Sequence, residues 1–235
     1  MRNLLLLSAL IFIAASGNTQ ENIRIVSLKM YAGLEDVGVE YEKFVRQRTI
    51  ISSQKGFSFG HFSPALSFSH PKYSHEIELS RLVIGKKDDI RIIDNQDNNL
   101  PIPISGEQKT VVDFSIRYEF NYYIKSSSKL FLPQIGIGFQ PYFHYSDILP
   151  NISGAARLSR IVAGNRVCVI PRIVFKAKKN LYFDLNLPLS ILDNYYIQEK
   201  EQNPLLTIQE MKTSGSGAWF MKNWFHLRIG AGVKL

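Results

Sequence analysis

The sequence is poor in residues that form covalent or metal cross-links, since it has a single cysteine, Cys168, in 235 residues. A lone cysteine excludes an internal disulfide framework and leaves no partner thiol for a cysteine-based metal site. Histidines are also too scattered to share a metal ion. The positions considered are His61, His70, His75 and His226. We therefore expect neither a metal nor a cofactor.

Long hydrophobic runs are equally scarce. The apolar run at 4–15 follows Arg2 and precedes a small polar stretch at 16–19, which is the pattern of a secretory signal peptide. As a helix this run would span about 18 Å, well short of a bilayer core of roughly 30 Å. We predict that residues 1–20 are a cleaved signal peptide and that residues 21–235 form a single domain. No later apolar run approaches eighteen residues, so a membrane crossing would have to use strands.

The formal net charge is +8 at pH 7, and the basic residues are scattered along the chain rather than gathered in a stripe. This distribution argues against nucleic acid as a partner, as does export from the cytoplasm. Basic loops would instead suit the anionic headgroups of outer-membrane lipid and lipopolysaccharide.

The C-terminal stretch 224–235, in contrast, has a clear pattern. Apolar residues alternate there without a break with a second set that includes charged residues and glycines. Successive side chains of a strand point to opposite faces, so this period predicts a strand with one apolar and one polar face. The apolar face holds Phe225, Leu227, Ile229, Ala231, Val233 and Leu235, and the other face holds Trp224, His226, Arg228, Gly230, Gly232 and Lys234. Such a strand fits a sheet with one wet face or a transmembrane barrel with lipid outside and a polar lumen.

Seven further segments show the same period. Together the predicted strands are 24–32, 57–69, 73–84, 112–123, 131–143, 167–176, 181–191 and 224–235. Short connections alternate strictly with long ones, as expected for an outer-membrane barrel with short periplasmic turns and long outer loops. We predict an all-β fold, an antiparallel up-and-down transmembrane β-barrel of eight strands. Ten strands are the alternative, because segment 37–44 also alternates and could add a hairpin.

The chain resembles the small outer-membrane β-barrel proteins of Gram-negative bacteria, in particular the uncharacterised barrels of the Bacteroidetes. Segments 39–44, 72–79 and 225–235 carry the resemblance. It implies location in the outer membrane and assembly by the barrel-assembly machinery, which reads the last strand. The residues of that assembly signal would be Phe225, Leu227, Ile229, Val233 and Leu235. The terminal leucine departs from the aromatic residue that usually closes the signal.

Charges of both signs fall on the predicted inward face. They are Glu76, Glu78, Asp113, Arg117, Glu119, Arg172, Asp184, Arg228 and Lys234. Eight strands leave an interior barely wide enough for side chains, so opposite charges should pair there and close the lumen. We predict a non-enzymatic barrel with a structural or surface-interaction role, whose long loops could contact an envelope protein. A small pore and an accessory subunit of an envelope or secretion complex are alternatives.

An enzymatic alternative rests on His144 and Ser146. Small barrels that deacylate lipid A carry a similar His-x-Ser, in which the histidine would act as general base for the serine. No acidic residue lies between Asp147 and Asp184, so the orienting carboxylate is missing from the following strand. Alternation also places His144 on the polar face, away from lipid. A last alternative is a soluble lipocalin-like periplasmic carrier, with its charged face outward and an apolar ligand inside.

Overall fold

The structure is a computed structural model that describes residues 25–36, 40–41, 48–52, 57–94, 103–125, 130–151, 156–202, 207–221 and 226–235. The predicted signal peptide lies outside these residues. The strands are β1 (Ile25–Asp36), β2 (Glu40–Tyr41), β3 (Arg48–Ser52), β4 (Phe57–Ser69), β5 (Tyr73–Asp94), β6 (Pro103–Tyr123), β7 (Phe131–Pro150), β8 (Leu158–Lys176), β9 (Leu181–Asn186), β10 (Leu189–Glu201), β11 (Lys212–Phe220) and β12 (His226–Lys234). One short helix, α1 (Ile208–Met211), precedes β11.

Eight antiparallel strands close into a barrel in the order β1, β4, β5, β6, β7, β8, β9, β12 and back to β1. We call this closed part the membrane ring. The prediction of an eight-stranded antiparallel barrel is confirmed. The extra hairpin that could have made ten strands exists as β2 and β3, but β3 pairs with the outer end of β5 and does not enter the ring.

The alternation in sequence places apolar side chains outside the ring and polar ones inside. Ile135 and Ile137 on β7 are exposed, whereas Gln134 and the two neighbouring glycines are buried. The same holds around the ring, where exposed large hydrophobics include Leu28, Met30, Leu66, Ile77, Phe114, Ile116, Ile173, Leu185, Ile229 and Val233. An apolar exterior around a charged interior is the arrangement that lipid requires, so the lipocalin-like alternative is wrong. No helix among the described residues is long and apolar enough to cross a membrane.

Both described ends of the chain lie at the end of the ring with short connections. The links 70–72, 124–130 and 177–180 join consecutive strands there, and the Leu235 amide donates to the Val26 carbonyl at 2.9 Å. This end corresponds to the periplasmic side of an outer-membrane barrel.

The opposite, outer end differs from the sequence prediction, which takes 85–109, 144–153 and 193–223 as long connections between strands. Strands β5 to β8 contain 19 to 22 residues each, whereas β1 and β4 contain 12 and 13. Backbone pairing continues beyond the apolar band, for example from Lys86↔Thr110 to Ile93↔Pro103. Strands need an outward apolar face only where they contact lipid. The parts of the strands beyond the apolar band therefore lack the alternation from which strands were predicted.

The extension forms a sheet above the ring in the order β2, β3, β5, β6, β7, β8, β10, β11. We call it the outer sheet. Strand β10 continues β9 after a break at Leu187 and Pro188, and β11 pairs with β10 rather than with a strand of the ring. Among the described residues, the lumen therefore has a lower part closed by the ring and an outer part lined by the outer sheet.

Candidate functional site

The lower lumen is filled by a layer of charged side chains that we call the lumen belt. It consists of Lys29, Tyr31, Glu76, Glu78, Arg117, Glu119, Arg172, Asp184, Asn186 and Arg228. These residues come from β1, β5, β6, β8, β9 and β12, and each is at most 5% exposed. Two-residue spacing on one inward face brings pairs such as Glu76 and Glu78 into the same layer.

On one side of the belt, Lys29 pairs with two carboxylates. Its Nζ lies 2.6 Å from Glu76 Oε2 and 2.9 Å from Asp184 Oδ2. The Tyr31 hydroxyl lies 2.8 Å from Glu76 Oε1 and 2.9 Å from Asp184 Oδ2. Asn186 Nδ2 donates to the other Asp184 oxygen at 2.9 Å. This group connects β1 to β5 and β9 across the lumen.

On the other side, Arg228 and Arg117 both pair with Glu78 and Glu119. Arg228 Nη1 pairs closely with Glu78, and its Nη2 donates to Glu119 Oε1 at 2.7 Å. Arg117 Nη2 donates to Glu78 Oε1 at 2.9 Å, and Arg117 Nε lies 3.1 Å from Glu119. The Arg228 guanidinium also lies over the Tyr31 ring, 4.8 Å from its centroid. Planar guanidinium groups with several donors suit this multiple pairing.

Arg172 joins the two sides. Its Nη1 donates to Glu76 Oε2 at 2.9 Å and lies 3.4 Å from Asp184 Oδ2, while Nη2 pairs closely with Glu119. Every carboxylate of the belt thus meets at least two cations. Four cations face four carboxylates, so the layer has no net charge.

Carboxylate oxygens of Glu76, Glu78 and Glu119 all lie within 4.8 Å of one another, close enough to share a cation. Each of them is already paired with at least one arginine. The guanidinium groups supply the positive charge that a metal ion would otherwise bring.

Glycines make room for the belt on β12. A Cβ atom at Gly230 would overlap the Tyr31 ring, and one at Gly232 would overlap the Tyr182 ring. Tyr31 is paired with Gly230 in the β1–β12 register, so the aromatic ring lies against the glycine while its hydroxyl reaches Glu76 and Asp184. The two glycines of the last strand therefore position the tyrosines that line the belt.

Seven of the nine predicted inward charges meet in the belt, namely Glu76, Glu78, Arg117, Glu119, Arg172, Asp184 and Arg228. Lys234 lies at the periplasmic end of β12, and Asp113 lies in the outer lumen, so the structure does not bring these two into the layer. Lys29, Tyr31 and Asn186 also belong to the belt and were not among the predicted residues. Alternation of Lys29 and Tyr31 with the lipid-facing Leu28 and Met30 is the signal that could have found the first two.

Asp113 belongs to a second group, the outer cluster, which consists of Arg81, Asp113 and His144. Arg81 Nε lies 2.6 Å from Asp113 Oδ2, and His144 Nδ1 lies 3.5 Å from the same oxygen. Asp113 and His144 are register partners on β6 and β7. From the sequence, a carboxylate partner of His144 was expected on the following strand, whereas Asp113 lies on the preceding strand, β6.

Ser146, the second residue of the enzymatic alternative, faces inward two positions further out on β7. Its side chain is fully buried, and its hydroxyl has no hydrogen-bond partner within the described ranges. Both candidate residues thus line the lumen and not the lipid-facing surface.

The outer lumen also holds the main apolar packing of the interior. Val162, Tyr195 and Ile197 form a buried cluster with Tyr142 and Trp219 packed against it. The Tyr195 and Trp219 rings are 4.5 Å apart.

The residues of the predicted assembly signal follow the lipid-facing side of β12. Ile229, Val233 and Leu235 are exposed and Leu227 is half-buried, while Phe225 lies outside the described residues.

A closed antiparallel ring with an apolar exterior, short connections at one end and a charged lumen defines an outer-membrane-type β-barrel. No protein-family model matches the sequence, and no curated protein matches it either. Among solved structures the chain is similar to the outer membrane protease OmpT from Escherichia coli, with a TM-score of 0.52 and 8% identity. The match covers 89% of this chain and 91% of that chain. At this identity the likeness shows the fold alone.

The comparison corrects one sequence prediction. We predicted that the protein is not an enzyme, partly because a small barrel filled by side chains left no evident site. OmpT is a protease on a similar barrel, so that prediction is overturned. The architecture is compatible with catalysis, and activity has to be judged from residues of the lumen and the outer sheet.

Proposed function

We propose that this protein is an outer-membrane barrel closed to permeation by the lumen belt, and that its outer end carries its function. The belt is the observation that supports the proposal. Ten buried side chains from six strands cross-link the lumen at one level. An ion passing this level would have to separate paired charges without water to replace the partners, which is costly.

Conductance in planar bilayers tests this closure. The reconstituted full chain is expected to give no steady open channels. The double variant Arg172→Ser/Glu119→Ser removes one cation and one carboxylate, so it leaves the belt neutral while opening its centre, and it is expected to conduct. Large, steady channels from the unmodified protein would contradict the proposal and favour the small-pore alternative.

The proposal also covers how the protein is exported and assembled and what it contacts. We infer export through a cleaved signal peptide at 1–20, assembly by the barrel-assembly machinery through the lipid-facing β12 residues, and contact with outer-membrane lipid and lipopolysaccharide around the apolar band. A relationship to the barrels of the Bacteroidetes and a role as accessory subunit of an envelope complex also remain predictions. Co-purification from detergent extracts tests the last of these.

A second candidate function is hydrolysis in the outer lumen. The Asp113–His144 pair favours it, because a carboxylate near Nδ1 orients an imidazole and leaves Nε2 as a general base. The Ser146 hydroxyl makes no hydrogen bond within the described residues, so His144 Nε2 would first have to move within reach of it. His144 would then take the Ser146 proton as the serine oxygen attacks an acyl carbon, and would return it to the leaving group as the bond between the acyl carbon and that group breaks. Both residues face the lumen, so the substrate would enter through the outer end, which does not suit a lipid held in the membrane.

A fluorophosphonate probe, which labels activated serines, tests this candidate directly. Labelling is expected in the folded protein and should be lost in Ser146→Ala and His144→Ala. Asp113→Asn should reduce the labelling rate without removing it, since the histidine keeps its position but loses the oriented charge. Absence of labelling in the unmodified protein, or labelling that survives Ser146→Ala, would exclude Ser146 as a nucleophile.

A further inference from the structure

The outward face of the outer sheet begins with a polar row directly above the apolar exterior. On β6, β7 and β8 the last apolar row consists of the register partners Val112, Tyr145 and Ile161. The next outward row is polar, and register pairing continues it onto β10 and β11. Its members from β6 to β11 are Lys109, Asp147, Ser159, Lys200 and Lys212. The three lysines are exposed, so the first side chains above the lipid-facing surface are mostly basic.

Arg157, directly before β8, adds a fourth cation. Its side chain is 47% exposed, and its Nη2 lies 2.5 Å from Oδ2 of Asp147, the one carboxylate among the register partners above. On β5 the row ends at Lys87, which Glu107 neutralises at 3.0 Å. We call the four remaining cations the outer basic row: Lys109, Arg157, Lys200 and Lys212. The register between strands thus gathers on one face cations that are scattered along the sequence.

Lys200 and Lys212 carry the least compensated charge of the outer basic row. They are direct register partners on β10 and β11, and like charges directly opposite each other on an antiparallel pair are destabilising. Glu199 precedes Lys200 but is buried on the inward face, where its Oε1 lies 3.5 Å from Arg160 Nε. The connection 202–209 contains no carboxylate, and neither does the segment 148–157 before the neighbouring strand β8. An anion bound between the two ammonium groups would relieve their repulsion.

The height of the row above the lipid indicates which anion meets it. On β10 the nearest outward aromatic residue is Tyr196, four positions closer to the ring than Lys200. Four strand residues at a tilt of about 40° rise about 10 Å, which exceeds the headgroup layer of a phospholipid, about 5–8 Å. The row therefore starts at the edge of the hydrocarbon and extends into the phosphorylated sugars of lipopolysaccharide. An acidic protein would have to displace those sugars to reach it.

We propose that the outer basic row binds the phosphate groups of lipopolysaccharide, with one phosphate held between Lys200 and Lys212. Ammonium groups on flexible stems suit this role, because they follow a phosphate without a fixed geometry. Each lysine beside an anionic lipid surface strengthens binding by roughly fivefold. This inference rests on the contact with lipopolysaccharide proposed above and deepens it by naming the site and the group bound. It does not depend on the closed lumen or on the Asp113–His144 pair.

Binding of lipopolysaccharide to the full chain in detergent tests the site. The probes are purified lipopolysaccharide with a fluorescent label on its sugars and the same preparation after enzymatic removal of its phosphates, both followed by anisotropy. Lys200→Gln/Lys212→Gln removes the two opposed charges. Lys178→Gln/Lys179→Gln is the matched control, since it removes two exposed lysines from the periplasmic connection 177–180. We expect the first variant to bind the phosphorylated lipid about thirtyfold more weakly, and the control to change binding by less than about twofold.

The unmodified protein is expected to prefer the phosphorylated lipid, and the heat-dependent shift in gel mobility checks that both variants are folded. Equal affinity for the two lipids, or an equal loss in the two double variants, would overturn the site and leave the general contact with lipopolysaccharide in place. Binding of neither lipid to the folded, unmodified protein would overturn that contact as well.

Two competitors distinguish the lipid from other anions. Inorganic phosphate at the same phosphate concentration should not displace the phosphorylated lipid, because it makes only one of the several contacts. Displacement would assign the row to a free anion and overturn the proposal. Tighter binding of a polyglutamate peptide than of the phosphorylated lipid would also overturn it, since the row would then suit an acidic protein.

Discussion

The lumen belt and the outer part of the barrel use the same residue types in opposite ways. In the belt, the side chains of four cations and four carboxylates are at most 5% exposed, and each carboxylate meets at least two cations. In the outer part three arginines reach solvent, since the side chains of Arg81, Arg157 and Arg166 are 40%, 47% and 32% exposed, whereas the Arg160 side chain beside Glu199 is 4% exposed. Outer carboxylates such as Asp147 and Asp193 each pair with one arginine. We therefore expect the partly exposed outer pairs to contribute less to stability than the multiply paired charges of the belt.

The largest expected effect follows from removing a belt cation. Arg228→Met leaves Glu78 and Glu119 buried with fewer partners, and an uncompensated buried charge typically costs about 3–5 kcal/mol. Unfolding in urea, followed by the heat-dependent shift in gel mobility that folded barrels show, measures the loss. The matched control is Arg166→Met in the outer lumen, which removes a partner of Asp193 at a partly exposed site. Equal losses in the two variants would contradict the distinction between the two regions.

A steric change on β12 tests whether the belt depends on close packing. Gly230→Val would force a side chain into the Tyr31 ring, and overpacking of this kind costs about 1–3 kcal/mol. Ala231→Val is the control, because Ala231 is the next residue on the same strand and is exposed on the lipid side. The same urea titration should show a loss for the first variant and almost none for the second. If Gly230→Val left the free energy of unfolding unchanged, Tyr31 would be able to leave the lumen without loss of stability.

Much of the ring and of the belt could be predicted from the sequence, but only in the segments where contact with lipid requires alternating apolar residues. Apolar alternation identified all eight strands of the ring and seven charges of the belt. Lys29 was missed because Ile25 and Tyr31 share its face of β1, which weakens the contrast between the polar and the apolar face. The outer ends of β5 to β8 were taken for loops, since strands surrounded by water need no apolar face. Partners such as Asp113 and His144 depend on the register between strands, and a single sequence carries no direct signal for that.

Coupling within the belt should be measurable as non-additivity. Lys29→Met and Asp184→Asn each leave a buried partner unsatisfied, whereas the double variant removes both ends of the 2.9 Å contact. The double variant is therefore expected to lose less stability than the sum of the single variants, by about 0.5–3 kcal/mol. Free energies of unfolding of the four proteins give this difference. Strict additivity would show that the contact contributes no coupling and that the belt is an assembly of independent charges.

The smallest effect is expected at the outer rim, where Arg157 Nη2 lies 2.5 Å from Asp147 Oδ2 with the arginine side chain about half exposed. Water and salt already screen this pair, so Arg157→Met should change the free energy of unfolding by only about 0–1 kcal/mol. Any effect measured at low ionic strength should disappear at high ionic strength, because exposed charges are screened within about 10 Å at 0.1 M salt. The loss in Arg228→Met, which comes from desolvated charges, should persist under the same conditions. A salt-independent effect at Arg157 would place the rim in the same electrostatic environment as the belt, and the division of the lumen into two regions would then fail.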